Sequence, residues 1–331
     1  MEYQWWILWS IQCTCALISF TLLTHENINT RTQVQQAALS AGAWISQDYV
    51  RKANAAFEGP FVMHGNTRLG YEVMPDNVAL TVKTLRLSYE EWDYTSKAPQ
   101  SESYLLWLKK HLAKGSPVVF FPICKGDDHE CYATSEDPTG ACPNHGSTDH
   151  VEVMYGLFSK HDLSNIDKVY DSDVIVHTSD QDLHPYYRTL KSLPDTLELQ
   201  GNCKSAQPGF GKNEMYPCID SNVTYGVAVS GLDFTSSLPK VSLVVNIDHE
   251  PNVRQFQKPV EISGNVTVSG LTEGTSYVFY RYDGTENVPK SVDELNSTAS
   301  FSYPFVADSA IETLAVPDTF SSHSATYFIV A

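Results

Sequence analysis

Basic residues are scarce in this sequence. Over 331 residues, 22 lysines and arginines stand against 39 aspartates and glutamates, and the formal net charge is −17. A surface of that charge repels the phosphates of nucleic acids and the headgroups of anionic membranes. The charge therefore argues against nucleic acid as a partner. The length is ample for a sizeable core, and two domains are expected.

The first residues lack a basic segment, because no lysine or arginine precedes Arg31. Residues 5–23 form an apolar run about as long as a membrane-spanning helix, but polar side chains interrupt it, and no clear cleavage site follows. We interpret residues 1–24 as a poor signal peptide or membrane anchor, or as a wrongly predicted first exon.

Two further features predict a secreted or cell-surface glycoprotein. Asn222, Asn265 and Asn296 each open a glycosylation sequon. Cys203 and Cys218 bracket a Gly/Pro-rich loop with few apolar residues, which is where a disulfide contributes most. We predict that these two cysteines are bonded to each other.

Three other cysteines, Cys124, Cys131 and Cys142, lie in a long polar segment. Five cysteines follow residue 24, and because this number is odd, one of these three is expected to be free. A metal site formed with His129 and His145 is an alternative, but the spacing matches no standard zinc pattern. We therefore predict no metal and no cofactor.

Helical patterns come first in the chain and strand patterns follow. Residues 31–57 have the spacing of two helices broken at Gly42, with the second beginning at Ser46, and two more helices are expected near 77–87 and 101–115. The β-branched and aromatic runs that follow predict an antiparallel sheet. This order predicts an α+β domain over residues 25–238.

Residues 239–331 have no helical pattern. Short strand-like runs recur between Gly, Pro, Asp and Asn, which predicts a small all-β sandwich. Leu271, Gly274 and Tyr277 stand in the arrangement of a tyrosine corner, in which the phenol ties a strand to the preceding turn. This stretch resembles the fibronectin type III pattern.

Four motifs of the first domain follow one another in a distinctive order. Gly42 and Ser46 form a Gly-x-x-x-Ser turn after the first predicted helix. Segment 108–121 joins a helix to a strand through Lys-Gly-Ser-Pro-Val. His150 then opens an apolar strand, and Asp180 ends the strand pattern that follows. Adjacent antiparallel strands would bring these last two residues close together.

The order of these motifs, over roughly residues 30 to 185, resembles that of the papain-like cysteine peptidases, specifically the bacteriocin-processing peptidases that cleave double-glycine leaders. The resemblance implies a papain-like fold for the first domain. It also implies that His150 is the base and that Asp180 fixes its tautomer, since a thiolate nucleophile needs an oriented imidazole beside it.

The nucleophile of that family is missing from this sequence. Counting back from Gly42 by the family's spacing reaches Asn29, which cannot attack a carbonyl, and no cysteine lies between Cys15 and Cys124. The glutamine of the family's oxyanion hole is also absent from residues 22–26. The resemblance therefore implies a domain that keeps a His/Asp pair without a nucleophile.

Three functions remain open on the sequence alone. The first is non-catalytic binding of a peptide or protein by the papain-like domain. The second is an active cysteine endopeptidase whose nucleophile-bearing N-terminus is missing from this sequence. The third is adhesion or sugar binding through the β-sandwich, which an exposed row of aromatic side chains would favour. His150 as a surface histidine and Asp180 as a turn residue are the simpler alternatives.

Overall fold

The protein is described by a computed structural model with four helices and fifteen strands in its described residues. The helices are α1 (Asn29–Leu39), α2 (Gln47–Glu58), α3 (Pro75–Thr84) and α4 (Ser101–Leu112). The mixed α+β class is confirmed. None of these four helices is long and apolar enough to cross a membrane. The described residues are 29–58, 63–64, 67–68, 75–93, 100–120, 151–178, 185–190, 225–235, 238, 241–247, 258–308 and 314–331.

The strands of the described residues form four sheets. They are β1 (Ala43–Ile45), β2 (Met63–His64), β3 (Thr67–Arg68), β4 (Leu87–Glu91), β5 (Val118–Phe120), β6 (Glu152–Phe158), β7 (Val174–Thr178), β8 (Pro185–Thr189), β9 (Gly226–Leu232), β10 (Ser242–Ile247), β11 (Glu261–Ser269), β12 (Ser276–Asp283), β13 (Phe301–Val306), β14 (Leu314–Ser321) and β15 (Ala325–Val330).

The largest sheet has six strands in the order β4-β9-β5-β6-β7-β8, and each neighbouring pair is antiparallel. Its two faces are covered by different helices. Val153 on one face shares a core with Val34 of α1, whereas Met154 on the other face packs with Tyr104 of α4. The alternation of side chains along β6 therefore serves two separate cores.

The other two large sheets, which we call the C-terminal sheets, have the orders β1-β15-β12-β13 and β10-β11-β14. The four-stranded sheet is the middle layer. Its Tyr282 lies in the same core as α1, while its Phe279 packs with Val245 and Ile262 of the three-stranded sheet. One continuous set of apolar layers thus joins the N-terminal helices to the end of the chain.

Strand β1 fills the break between the two expected helices, and the second helix begins at Gln47, next to the start expected at Ser46. Residues 43–45 pair with β15, with Trp44 opposite Thr326. The Trp44 indole donates from Nε1 to the carbonyl oxygen of Ser321 at 2.9 Å and packs on the ring of Phe320. This burial, which local helical spacing does not reveal, makes the segment a strand.

The turn before β12 has the hydrogen bond expected of a tyrosine corner. The backbone N–H of Thr272 donates to the phenol oxygen of Tyr277 over 3.0 Å. Gly274 has φ +72°, a left-handed conformation that glycine adopts without steric cost. The phenol therefore fixes the start of β12 to the preceding turn.

A buried ion pair fastens the β6–β7 connection to α4. Lys109 Nζ lies 2.8 Å from Asp173 Oδ2, and both side chains are fully buried. Lys109 also donates to the Lys168 carbonyl and lies over the Tyr170 ring, while Ser159 donates to Asp173. These additional hydrogen bonds offset the cost of removing two charges from water.

Candidate functional site

At one end of the six-stranded sheet, the terminal residues of its strands lie side by side. Strands β4, β5 and β7 end there, and β6, β8 and β9 begin there. We call it the site end. The residues in register along it are Glu91, Val227, Gly226, Phe120, Glu152, Val153, Thr178 and Pro185.

The residues predicted from the sequence are connected to this end in different ways. Asn29 is the first residue of α1. Strand β6 begins two residues after His150, and β7 ends two residues before Asp180. The predicted residues that lie outside the described part of the chain are His150, Asp180, Cys203, Cys218 and Asn222.

The antiparallel pairing predicted for the strands after His150 and before Asp180 is confirmed. Val153 lies opposite Thr178 in the β6–β7 ladder. The described neighbours of both predicted residues therefore meet at the site end.

Two of the predicted glycosylation sequons lie in described residues. Asn296 is exposed in the turn before β13. Asn265 is half-buried on β11, where its side-chain oxygen accepts a hydrogen bond from Asn246 Nδ2 at 3.1 Å. The sheet therefore holds the Asn265 amide, whereas Asn296 faces solvent.

A buried carboxylate–imidazole pair lies at the site end on the face covered by α4. His177 Nδ1 lies 2.5 Å from Glu152 Oε2, and neither side chain is exposed. Phe120 meets the imidazole edge-on, with ring centroids 5.6 Å apart. Sequence reasoning missed this pair. The available signal was a glutamate inside an apolar strand, between Val151 and Val153.

Helix α1 covers the opposite face of the same strands. Its Val34 and Ala37 share a core with Val153 of β6 and with Val151, the residue before that strand. Its last residue, Leu39, belongs instead to the core of the C-terminal sheets. The C-terminal end of α1 is therefore anchored at those sheets.

The first turns of α1 contain a polar side chain with unused hydrogen-bonding capacity. Gln33 is fully buried, and neither its Oε1 nor its Nε2 has a hydrogen-bond partner in the described structure. An unsatisfied buried amide costs about 1–3 kcal/mol, so natural chains rarely keep one without a use. Gln33 lies four residues after Asn29, on the same face of the helix.

No family model matches the chain, and no curated protein is significantly similar to it. Among the described residues, no group of three or more His, Cys, Asp or Glu side chains is arranged to hold a metal ion.

Proposed function

We propose that residues 25–238 form a papain-like peptidase domain that keeps a binding cleft but has lost its nucleophile, and that residues 239–331, together with strand β1, form a β-sandwich. In this proposal the first domain binds a peptide or protein segment without cleaving it. One observation carries the proposal. The helix that begins at Asn29 packs directly against β6, the strand that begins two residues after His150.

The direction of α1 supports the same arrangement. The C-terminal sheets contact the end of the six-stranded sheet opposite the site end, where Tyr327 donates to the Leu85 carbonyl at 2.9 Å. Leu39 anchors the C-terminal end of α1 to those sheets. A helix of this length spans about 15 Å between its first and last residues. Asn29 is therefore directed away from the C-terminal sheets and toward the site end.

The proposal makes one geometric demand. His150 must face α1, whereas Glu152 faces α4 and pairs there with His177. Strand alternation alone would turn His150 to the α4 face as well. The chain must therefore turn between His150 and the start of β6, and the Glu152–His177 pair then serves to hold β6 to β7 beneath the base.

The chemistry at Asn29 makes the site non-catalytic. A neutral amide has no thiol proton for His150 to remove and forms no acyl-enzyme. The domain can therefore hold an acyl compound without turning it over. In this proposal the domain keeps the ability of a peptidase to bind a substrate and lacks the ability to cleave it.

The test of this function is a peptidase assay with the purified 331-residue chain. Denatured casein and a mixture of fluorogenic peptides serve as substrates, and a thiol-directed active-site probe is followed by peptide mapping. We expect no cleavage and no label in α1. Cleavage that disappears in His150→Ala would overturn the non-catalytic proposal.

A further inference from the structure

Strand β13 carries a row of aromatic side chains in solvent. Phe301, Tyr303 and Phe305 alternate along one face, and the first two are 49% and 46% exposed. The Tyr303 and Phe305 rings are nearly parallel, with centroids 6.2 Å apart, and Phe305 stacks in turn on Tyr277 at 5.7 Å. We call Phe301, Tyr303 and Phe305 the aromatic row.

The aromatic row lies next to the core between the C-terminal sheets, but its own side chains are exposed to solvent. Tyr303 lies opposite Phe279, which is buried between the two sheets. The three-stranded sheet covers Phe279 but leaves β13 exposed along nearly its whole length. Large aromatic side chains left uncovered in a row indicate a contact surface rather than ordinary surface residues.

The backbone of β13 argues against an added strand as the occupant. Val278, opposite Pro304, exchanges both of its backbone hydrogen bonds with Ala331, on the β15 side. Pro304 therefore turns its backbone nitrogen to the free edge of the sheet, where it has no N–H to donate. A proline at this position protects an edge against pairing with another chain.

The charges around the aromatic row fit a neutral ligand with many hydroxyl groups. Strand β13 itself has no charged residue, in a chain whose net charge is −17. At one end, Arg281 lies opposite Phe301 and is bound to the carboxylates of Asp283 and Asp318. The Arg281 guanidinium and these two carboxylates hold one another in place and present hydrogen-bond donors and acceptors beside the aromatic row.

From these observations we infer that the aromatic row is a binding site for a neutral oligosaccharide. The apolar C–H faces of the sugar rings pack on Phe301 and Tyr303. The sugar hydroxyls bond to the Tyr303 hydroxyl and to the edge of the Arg281–Asp283–Asp318 group. This site lies apart from Asn29 and the site end, so it does not depend on the proposed function of the first domain.

The test uses isothermal titration calorimetry of the full chain with four neutral probes: cellohexaose, xylohexaose, mannohexaose and chitohexaose. We expect at least one to bind, with an affinity that Tyr303→Ser lowers about tenfold or more, since a stacked ring is removed. Val292→Ser, another exposed apolar side chain, serves as the control and should leave the affinity unchanged. Raising the salt concentration should not weaken binding, because the contact is uncharged.

Two results would overturn the inference. One is the absence of binding for all four probes at millimolar concentration, and the other is equal binding by Tyr303→Ser and the unaltered chain. Sedimentation of the chain at several concentrations adds a further check. Self-association abolished by Tyr303→Ser, without sugar binding, would identify a second copy of the chain as the occupant and refute the sugar.

Discussion

Gln33 lies one helical turn after Asn29 on α1, and its fully buried amide makes no hydrogen bond in the described structure. The two residues therefore share the face of the helix where the resemblance to cysteine peptidases puts the nucleophile. A chain that keeps an unpaired amide at such a place gives up stability. We interpret the unpaired amide as a cost to the stability of the fold.

The first prediction follows from that cost. Gln33→Met replaces the amide with an apolar side chain of similar length, so we expect the free energy of unfolding to rise by about 1 kcal/mol or more. Urea denaturation measures this free energy of unfolding. Gln36→Met, at a half-buried position on the same helix, is the control and should not stabilise the protein. A Gln33→Met variant less stable than the unaltered chain would contradict this interpretation.

The buried ion pair between α4 and the β6–β7 connection gives the second prediction. Asp173→Ala leaves the Lys109 ammonium buried without a counter-charge, and we expect a loss of roughly 3–5 kcal/mol in the free energy of unfolding. Lys52→Ala removes a largely exposed partner of Asp48 and should change the free energy of unfolding by less than about 1 kcal/mol. Similar losses in the two variants would argue against the buried pair.

Two glycines with nearly the same backbone conformation provide a matched comparison. Gly42 has φ +74° and Gly274 has φ +72°. A Cβ on Gly42 would lie 2.8 Å from the Leu243 Cβ, whereas a Cβ on Gly274 would meet nothing within 4 Å. Both alanine variants bear a conformational cost of about 1–2 kcal/mol, and Gly42→Ala adds an overpacking cost of about 1–3 kcal/mol. Equal stabilities would contradict the described packing of Gly42 on β10.

The pH dependence of stability gives the fourth prediction. Burial lowers the pKa of His111 below its usual 6.5, and Glu90, whose Oε1 lies 3.3 Å from Nε2, offsets part of that shift. Below about pH 6.5 the unfolded chain takes up this proton before the folded chain does. The contribution of neutral His111 is therefore complete above that pH and is lost as the pH falls through the folded-state pKa.

We expect His111→Gln to lose less stability than the unaltered chain between pH 7 and pH 5, as measured by urea midpoints at several pH values. His161→Gln, at an exposed position, is the control. An unchanged pH profile in His111→Gln would show that His111 does not contribute in this range.

Features set by neighbouring residues could be predicted from the sequence. The β6–β7 pairing and the hydrogen bond between Thr272 and Tyr277 depend on short connections and turn residues, which local patterns reveal. Strand β1 depends on pairing with β15 near the end of the chain. No local pattern contains that partner, so no strand was predicted between the break at Gly42 and the helix that begins near Ser46.

The same difference between local and long-range features applies to the candidate site. The order of motifs located the strands that meet at the site end, because each motif is local. The Glu152–His177 pair was missed, since a charged side chain in an apolar strand is ordinarily assigned to solvent. The Glu152–His177 pair is fully buried only because α4 packs over this face of the sheet. Such a tertiary contact is not visible in a local sequence pattern.

The central claim is that Asn29 occupies the nucleophile position beside His150, and the pKa of a cysteine introduced there tests it most directly. The pH dependence of iodoacetamide alkylation, with mass-spectrometric mapping of position 29, gives this pKa in Asn29→Cys and in Asn29→Cys/His150→Ala. The helix N-terminus acts equally in both variants, so their difference isolates the imidazole. We predict a thiol pKa at least about one unit lower when His150 is present. Equal pKa values in the two variants would contradict the account.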